Sequence, residues 1–171
     1  YYQDKCLPQL RELLTQYGSL GLMWFDTPMS MTAAQSRGIY DLVKALQPDC
    51  IVSGRIGNGL GEYMSTSDNF IPTLPVAGDW EVPATLNGSW GYKADDQNWK
   101  SPAQVLDILV RVNSRGGNYL LNIGPDGSGM IPQQSAEILR KVGGHVRRNG
   151  NAFYATSLTP VYPYDIRWCY F

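Results

Sequence analysis

The chain has 171 residues, of which 43% are hydrophobic and 17% are charged, and its formal net charge is −1 at pH 7. This composition is typical of a folded globular chain and excludes an intrinsically disordered one. The near-neutral charge argues against a nucleic-acid partner, and the lack of any apolar run of the ~20 residues needed to span a bilayer argues against a membrane.

The chain opens with the pattern of an amphipathic helix followed by a strand. Apolar residues recur at helical spacing over residues 5–17, and Gly18 is placed to end the helix in a left-handed turn. The continuous apolar run LGLMWF at residues 20–25 predicts a strand covered on both faces, as in parallel sheets. Asp26 would lie at the carboxyl end of this strand, where a carboxylate is costly to bury unless it is paired or used.

The helix and strand pattern then repeats. Residues 32–46 carry a helical apolar stripe, and CIVSGR at residues 50–55 predicts the next buried strand. An alternative for Asp26 is that it caps a helical segment beginning near Met29. Residues 56–92 are rich in Gly, Pro, Ser and Asn without a sustained period, so we expect long loops with little regular structure, which are usually functional.

Regular patterning returns in the last part of the chain. Ser101 is a good helix N-cap, with Pro102 at the first helical position and Gln104 three residues after the cap. NYLLNIG at residues 118–124 predicts another strand, and a last helix is expected over residues 132–148.

This alternation predicts an α/β fold, built either as an open doubly wound sheet or as a (β/α)8 barrel. Gly57, Gly59 and Gly61 lack the spacing of a dinucleotide-binding loop, which argues against the first. In barrels the reactive groups lie at the carboxyl ends of the strands, where Asp26 and Arg55 are expected.

The cysteines and the single histidine carry no metal or disulfide pattern. Cys6, Cys50 and Cys169 are odd in number and widely separated, and His145 is the only histidine. We therefore predict neither a zinc site nor a disulfide framework, and no cofactor.

Four segments in series carry a resemblance to a known family. They are WFD at 24–26, SGRIGNGLGEY at 53–63, DWEVPATLNGSWGY at 79–92 and NYLLNIGPDGSGMIP at 118–132. In this order and spacing they resemble the α-L-fucosidases of glycoside hydrolase family 29. The resemblance implies a TIM-like (β/α)8 barrel, of which this chain corresponds to the C-terminal portion.

The resemblance also implies roles for individual residues. The aspartate of the W-F-D motif, Asp26 here, is the nucleophile of a retaining mechanism in that family. Arg55 is expected to contact the ring oxygens of fucose. Trp24 and Trp90 resemble the aromatic residues that line the apolar side of the sugar, where its C6 methyl group lies.

The second carboxyl group of a retaining mechanism, the general acid/base, has several candidates. The acidic residues of the loops are Glu62, Asp68, Asp79 and Glu81. Asp68 lies in a Ser/Thr/Asn-rich loop, which we interpret as flexible enough to place a carboxyl group over the glycosidic oxygen. Glu81 lies between Trp80 and Val82, where partial desolvation would favour the protonated acid.

Both assignments stay open, with Asp68 preferred over Glu81. The structural alternative for Asp68 is an Asx turn or a cap. The structural alternative for Glu81 is a carboxylate that orients Arg55.

We predict a partial catalytic barrel domain at residues 1–156 and the start of a C-terminal extension at residues 157–171. The implied function is that of a retaining α-L-fucosidase that hydrolyses terminal α-L-fucose from glycoconjugates or oligosaccharides. The alternative is a carbohydrate-lining fragment without turnover of its own. The predicted partner is a fucosylated glycan substrate, and association into a homo-oligomer is left open.

Overall fold

The computed structural model describes residues 1–74 and 76–157, and the chain divides into two compact units, Tyr1–Ser65 and Thr66–Phe171. Most of the predicted C-terminal extension, including Cys169, lies outside the described residues. Across those described ranges no helix is long and apolar enough to cross a membrane.

The first unit alternates helices with short strands. Its elements are α1 (Leu7–Gln16), β1 (Leu22–Met23), α2 (Ala33–Leu46), β2 (Ile51–Val52) and β3 (Met64–Ser65), with a π-helical turn before α1 (Tyr2–Cys6) and a 3-10 turn after β2 (Gly54–Ile56). β1 and β2 are parallel. Gly18 follows α1 with φ of 77°, so the predicted left-handed glycine after the first helix is confirmed.

The strand predicted at residues 20–25 is shorter and less buried than expected. Only Leu22 and Met23 pair as β1, and Leu22 and its register partner Ile51 are each 44% exposed. Because successive side chains of a strand alternate between faces, the core formed with α1 and α2 covers only the face that carries Met23 and Val52. The expectation of a strand covered on both faces is therefore wrong here. The strand predicted at residues 50–55 is likewise limited to β2.

Asp26 is not a helix cap. α2 begins at Ala33, and its N-cap is Thr32, whose hydroxyl accepts a hydrogen bond from the Gln35 N–H while the Gln35 side chain accepts one from the Thr32 N–H. The segment between β1 and α2 is irregular, with Thr27 and Ser30 at positive φ. The capping alternative for Asp26 is thus wrong, and its carboxylate is left available for another role.

The second unit contains the longest strands of the described residues. Its elements are β4 (Trp80–Thr85), α3 (Pro102–Asn113), β5 (Asn118–Asn122) and α4 (Gln133–Arg148), followed by a 3-10 turn (Gly150–Ala152). The capping box predicted at Ser101 and Gln104 is confirmed, as are the last helix and the strand near residue 118. β4 and β5 are parallel, and the first pair of their register is Glu81 opposite Asn118.

The expectation of irregular structure throughout residues 56–92 is wrong for β4, all six residues of which are buried. The sequence did not predict this strand because Pro83 lies within it, and proline lacks the N–H that a central strand uses for pairing. In the fold, the carbonyl oxygen of Pro83 accepts from the Asn69 N–H, and that of Glu81 accepts from the Thr66 N–H. Alternate residues of a strand direct their backbone N–H and C=O groups to the same side. Glu81 and Pro83 direct theirs toward Thr66 and Asn69, so the missing N–H of Pro83 removes no hydrogen bond between β4 and β5.

Gly117 is required by the packing of Trp80, the largest fully buried side chain of the described residues. A Cβ at Gly117 would lie 2.5 Å from the Trp80 ring. We expect Gly117→Ala to lower the free energy of unfolding by about 1–3 kcal/mol through overpacking, measured by urea denaturation. The control is Gly143→Ala in α4, where the nearest atom is the flexible tip of Arg147 at 3.4 Å; there alanine should stabilise by about 0.5–1 kcal/mol. Equal effects of the two substitutions would contradict the packing argument.

Candidate active site

Asp26 and Arg55 form an ion pair just past the ends of β1 and β2. Arg55 Nη1 lies 2.9 Å from Asp26 Oδ1. The guanidinium carbon of Arg55 lies 5.2 Å from the centroid of the Trp24 ring, within cation–π distance. Its Nε donates to Ser65 Oγ at 3.1 Å. The structure thus brings together three of the predicted site residues, Asp26, Arg55 and Trp24.

The two members of this ion pair differ in their access to solvent. The side chain of Arg55 is 17% exposed, whereas that of Asp26 is 53% exposed. The arginine is therefore held as part of the fold, while half of the Asp26 side chain faces solvent. An exposed carboxylate anchored by an arginine, which itself lies over an indole ring, can meet a polar ligand without first leaving a buried environment.

The backbone around the ion pair is fixed by a buried serine and a close chain crossing. Ser53, which is fully buried, accepts a hydrogen bond from the Phe25 N–H at 2.9 Å. Gly54 allows the chain to pass Tyr63, because a Cβ there would lie 2.6 Å from the Tyr63 carbonyl oxygen. Phe25 and Gly54 are the chain neighbours of Asp26 and Arg55, so these contacts set the positions of both charged groups.

Glu62, one of the four acidic candidates, is engaged in a separate ion pair. Its Oε1 lies 2.8 Å from Lys44 Nζ, and its Oε2 accepts from the Val52 N–H at 2.8 Å. Burial raises the pKa of Glu62, but the hydrogen bonds from Lys44 and Val52 outweigh it and hold the pKa below its ordinary value. A general acid must keep its proton at working pH, so this environment argues against Glu62 in that role.

The second unit holds the two preferred acid/base candidates in different environments. Asp68 is exposed and follows β3 by three residues, whereas Glu81 is 8% exposed and is the second residue of β4. The loop around Asp68 is attached to β4 through the N–H groups of Thr66 and Asn69. The Asn69 side chain also accepts from the Thr85 N–H at 3.0 Å. Backbone hydrogen bonds therefore anchor the loop on both sides of Asp68, and its flexibility stays a prediction.

Trp90 lies in a loop that rests on the end of β5. Asn122 Nδ2 donates to the Trp90 carbonyl oxygen at 2.6 Å, and a Cβ on Gly124 would lie 3.0 Å from that oxygen. Trp90 is 41% exposed. On the other side of the loop, Asp96 accepts from the Ser89 hydroxyl at 2.8 Å. The backbone of this tryptophan is therefore held in place while much of its ring stays accessible.

Sequence reasoning missed the residues that support the site. Ser65, Ser53 and Asn122 act by single hydrogen bonds to partners far along the chain. Ser53 and Asn122 lie within the segments that carry the family resemblance, but neither motif nor periodicity indicates which partner each residue binds, because the partner is set by the fold. Among residues 1–74 and 76–157, no group of three His, Cys, Asp or Glu side chains could hold a metal ion.

Helices that alternate with parallel strands define an α/β protein, and the ion pair of Asp26 and Arg55 lies past the strand ends, where such proteins carry their functional groups. A family model described as Alpha-L-fucosidase matches residues 1–151. Human tissue α-L-fucosidase is 30% identical over 182 residues, which cover 98% of this chain and 37% of that protein. The chain therefore belongs to the α-L-fucosidase family.

Solved structures agree with this assignment. α-L-Fucosidase isoenzyme 1 from Paenibacillus thiaminolyticus matches with a TM-score of 0.86 and 33% identity, covering 92% of this chain and 42% of that one. α-L-Fucosidase AlfC from Lactobacillus casei in complex with α-L-fucose product matches with a TM-score of 0.77 and 38% identity, covering 87% and 46%. These matches confirm the α/β class. The chain spans less than half the length of each of these three relatives.

Proposed function

We propose that the protein to which this chain belongs is a retaining α-L-fucosidase that releases terminal α-L-fucose from glycoconjugates or oligosaccharides. The observation that carries the proposal is the Asp26–Arg55 pair beside Trp24, with the Asp26 carboxylate half exposed. Membership of the α-L-fucosidase family supports the substrate. We further propose that β1 to β5 and their helices form the C-terminal portion of a (β/α)8 barrel, since Asp26 and Arg55 lie past strand ends, where barrel enzymes carry their reactive groups.

The proposed reaction is a double displacement with Asp26 as nucleophile and Asp68 as acid/base. In the first step a carboxylate oxygen of Asp26 bonds to the anomeric carbon, the bond to the aglycone oxygen breaks, and the proton of the acid passes to that oxygen. In the second step the resulting carboxylate takes a proton from water, the water oxygen bonds to the anomeric carbon, and the bond to Asp26 breaks. Two inversions leave the configuration unchanged.

Arg55 and the two tryptophans have binding roles in this proposal. Arg55 donates to the oxygens of the sugar and steadies the nucleophile through its 2.9 Å contact with Asp26. Trp24 and Trp90 offer ring faces to the apolar side of fucose. No cofactor takes part, because the two carboxyl groups supply both the covalent and the proton-transfer chemistry.

A second candidate function is that of a sugar-lining fragment without turnover of its own. It is favoured by the exposure of strand residues, since Leu22, Ile51 and Leu120 are each more than 40% exposed in the described chain. Leu22 and Ile51 are register partners, so in this candidate function their side chains form an apolar pair that further protein would cover. The 171-residue chain would then need further protein around these strands to act on a fucoside.

The test is hydrolysis of an aryl α-L-fucoside followed by proton NMR. In the protein expressed from its complete reading frame, we expect α-L-fucose to appear first and to mutarotate later, as retention requires. Initial release of β-L-fucose would refute the retaining mechanism. The 171-residue chain assayed alone separates the two candidates: absence of turnover and association in size-exclusion chromatography favour the fragment, and a monomer that cleaves the substrate refutes it.

A further inference from the structure

We propose that Glu62, anchored by Lys44, is a positioning residue that fixes Arg55 against Asp26. This inference rests on the proposed function, in which Arg55 binds fucose and steadies the nucleophile. The ion pair with Lys44 argues against Glu62 as the acid/base. Its place in the first unit, at the closing end of the loop that carries Arg55, gives it a different task.

Glu62 satisfies both polar backbone groups of Val52. Its side-chain Oε2 accepts from the Val52 N–H at 2.8 Å, and its own N–H donates to the Val52 carbonyl at 2.9 Å. Val52 is completely buried, so leaving either group unpaired would carry the full cost of desolvation. The chain is therefore closed into a loop at Val52 and Glu62, with Arg55 inside it.

Further contacts continue this closure toward Arg55. Ser53 and Tyr63 form a parallel bridge directly after the Val52–Glu62 pair. Gly61 has φ of 112°, and a Cβ there would lie 2.6 Å from the Gly54 Cα, so the two sides of the loop touch. Three residues after Glu62, the Ser65 hydroxyl accepts a hydrogen bond from Arg55 Nε. The segment that carries Arg55 and the segment that carries Ser65, its hydrogen-bond partner, are thus held together by the contact between Glu62 and Val52.

Lys44 makes this closure rigid by tying it to α2. Its ammonium group lies 2.8 Å from Glu62 Oε1 and donates to the carbonyl oxygens of Cys50 and Pro48 at 2.8 and 3.1 Å. The hydrogen bond to Glu62 raises the pKa of Lys44 above its ordinary value. The ion pair therefore stays charged across the neutral range, and it links the start of β2 to the end of the Arg55 loop.

Loss of the Glu62 carboxylate should loosen the loop and let Arg55 move from Asp26. Small displacements of a group that orients a reactant cost on the order of 10²-fold in rate. We expect Glu62→Ala to lower kcat/KM for an aryl α-L-fucoside by about that factor in the protein from its complete reading frame. Glu62→Gln keeps an acceptor for the Val52 N–H and should retain more activity than Glu62→Ala.

Combination with Arg55→Ala distinguishes positioning from general structural support. If Glu62 acts through Arg55, adding Glu62→Ala to Arg55→Ala should change kcat/KM by no more than about twofold, because the interaction is already lost. An additive loss would overturn the inference. The control is Asp41→Ala, which removes an exposed ion pair with Arg37 on the same helix and should leave kcat/KM unchanged.

A crystal structure of the Glu62→Ala variant, or of Lys44→Ala if that variant does not fold, tests the geometry without activity, because Lys44→Ala removes the ion pair that anchors Glu62. We expect the Arg55–Asp26 contact to lengthen from 2.9 Å or to break. An unchanged contact would overturn the positioning role whether or not the protein cleaves fucosides. Absence of fucosidase activity in the unaltered protein, by contrast, would refute the proposed function and leave the geometric test to decide this inference.

Discussion

Asp26→Gly is expected to lower turnover of an aryl α-L-fucoside on the order of 10³-fold or more, because the substitution removes the oxygen that bonds to the anomeric carbon. The loss should fall on kcat more than on KM. Arg55 keeps its hydrogen bond to Ser65 and its contact with the Trp24 ring after the substitution, so the sugar-binding side of the site is retained. Steady-state kinetics of the protein from its complete reading frame measures kcat and KM.

Added azide gives the sharper form of this test. A small anion can enter the space left by the carboxylate, attack the anomeric carbon once, and restore part of the rate. The product should be β-L-fucosyl azide, since a single displacement inverts the configuration. The control is Asp49→Gly, which removes an exposed loop aspartate of the same unit and should leave turnover unchanged. Turnover near that of the unaltered protein would remove Asp26 from the role of nucleophile.

The helices were predictable from the sequence because their signals are local. The box of Ser101 and Gln104 and the left-handed Gly18 act within a single turn. Packing against the rest of the protein therefore does little to move the helix ends that these residues define. α3 therefore begins at Pro102, directly after the N-cap Ser101 that the sequence predicts.

The strands were harder to predict because their pairing is set by distant parts of the chain. Pro83 made the segment of β4 resemble a loop, and the hydrogen bonds that show which edge the proline faces come from Thr66 and Asn69, outside the strand. Leu22 carries the apolar character of a covered strand, yet 44% of it is exposed. Apolar sequence indicates a capacity for burial, and the neighbouring elements decide how much of it is realised.

Asp26 and Arg55 could be singled out from the sequence as candidate site residues, whereas the residues that support them could not. Asp26 and Arg55 are marked by their place after buried runs and by the family resemblance. The bond from Arg55 to Ser65 depends on the 3-10 turn at Gly54–Ile56, which turns the guanidinium toward that hydroxyl. The task of Glu62 depends on Lys44, a residue of α2 that no motif connects with the loop.

The acid/base assignment is decided by comparing two substrates in Asp68→Ala. An aryl leaving group of low basicity needs little protonation, whereas the aglycone of a natural fucoside needs a proton to depart. We expect Asp68→Ala to lower turnover of a natural fucoside by about 10²–10⁴-fold while sparing the first step on the activated aryl fucoside. The exposure of Asp68 and its position past β3 favour this residue over Glu81, which is 8% exposed near the start of β4.

Glu81→Ala is the matched comparison, because it removes the other preferred carboxyl group from the same unit. A buried carboxylate that serves the structure should, when lost, reduce turnover of the two substrates by the same factor. Azide added to Asp68→Ala should give α-L-fucosyl azide, since the anion attacks the fucosyl-enzyme on the face that water normally uses and needs no general base. If Glu81→Ala alone shows the selective loss and the α-azide product, Glu81 is the acid/base and the preference for Asp68 is wrong.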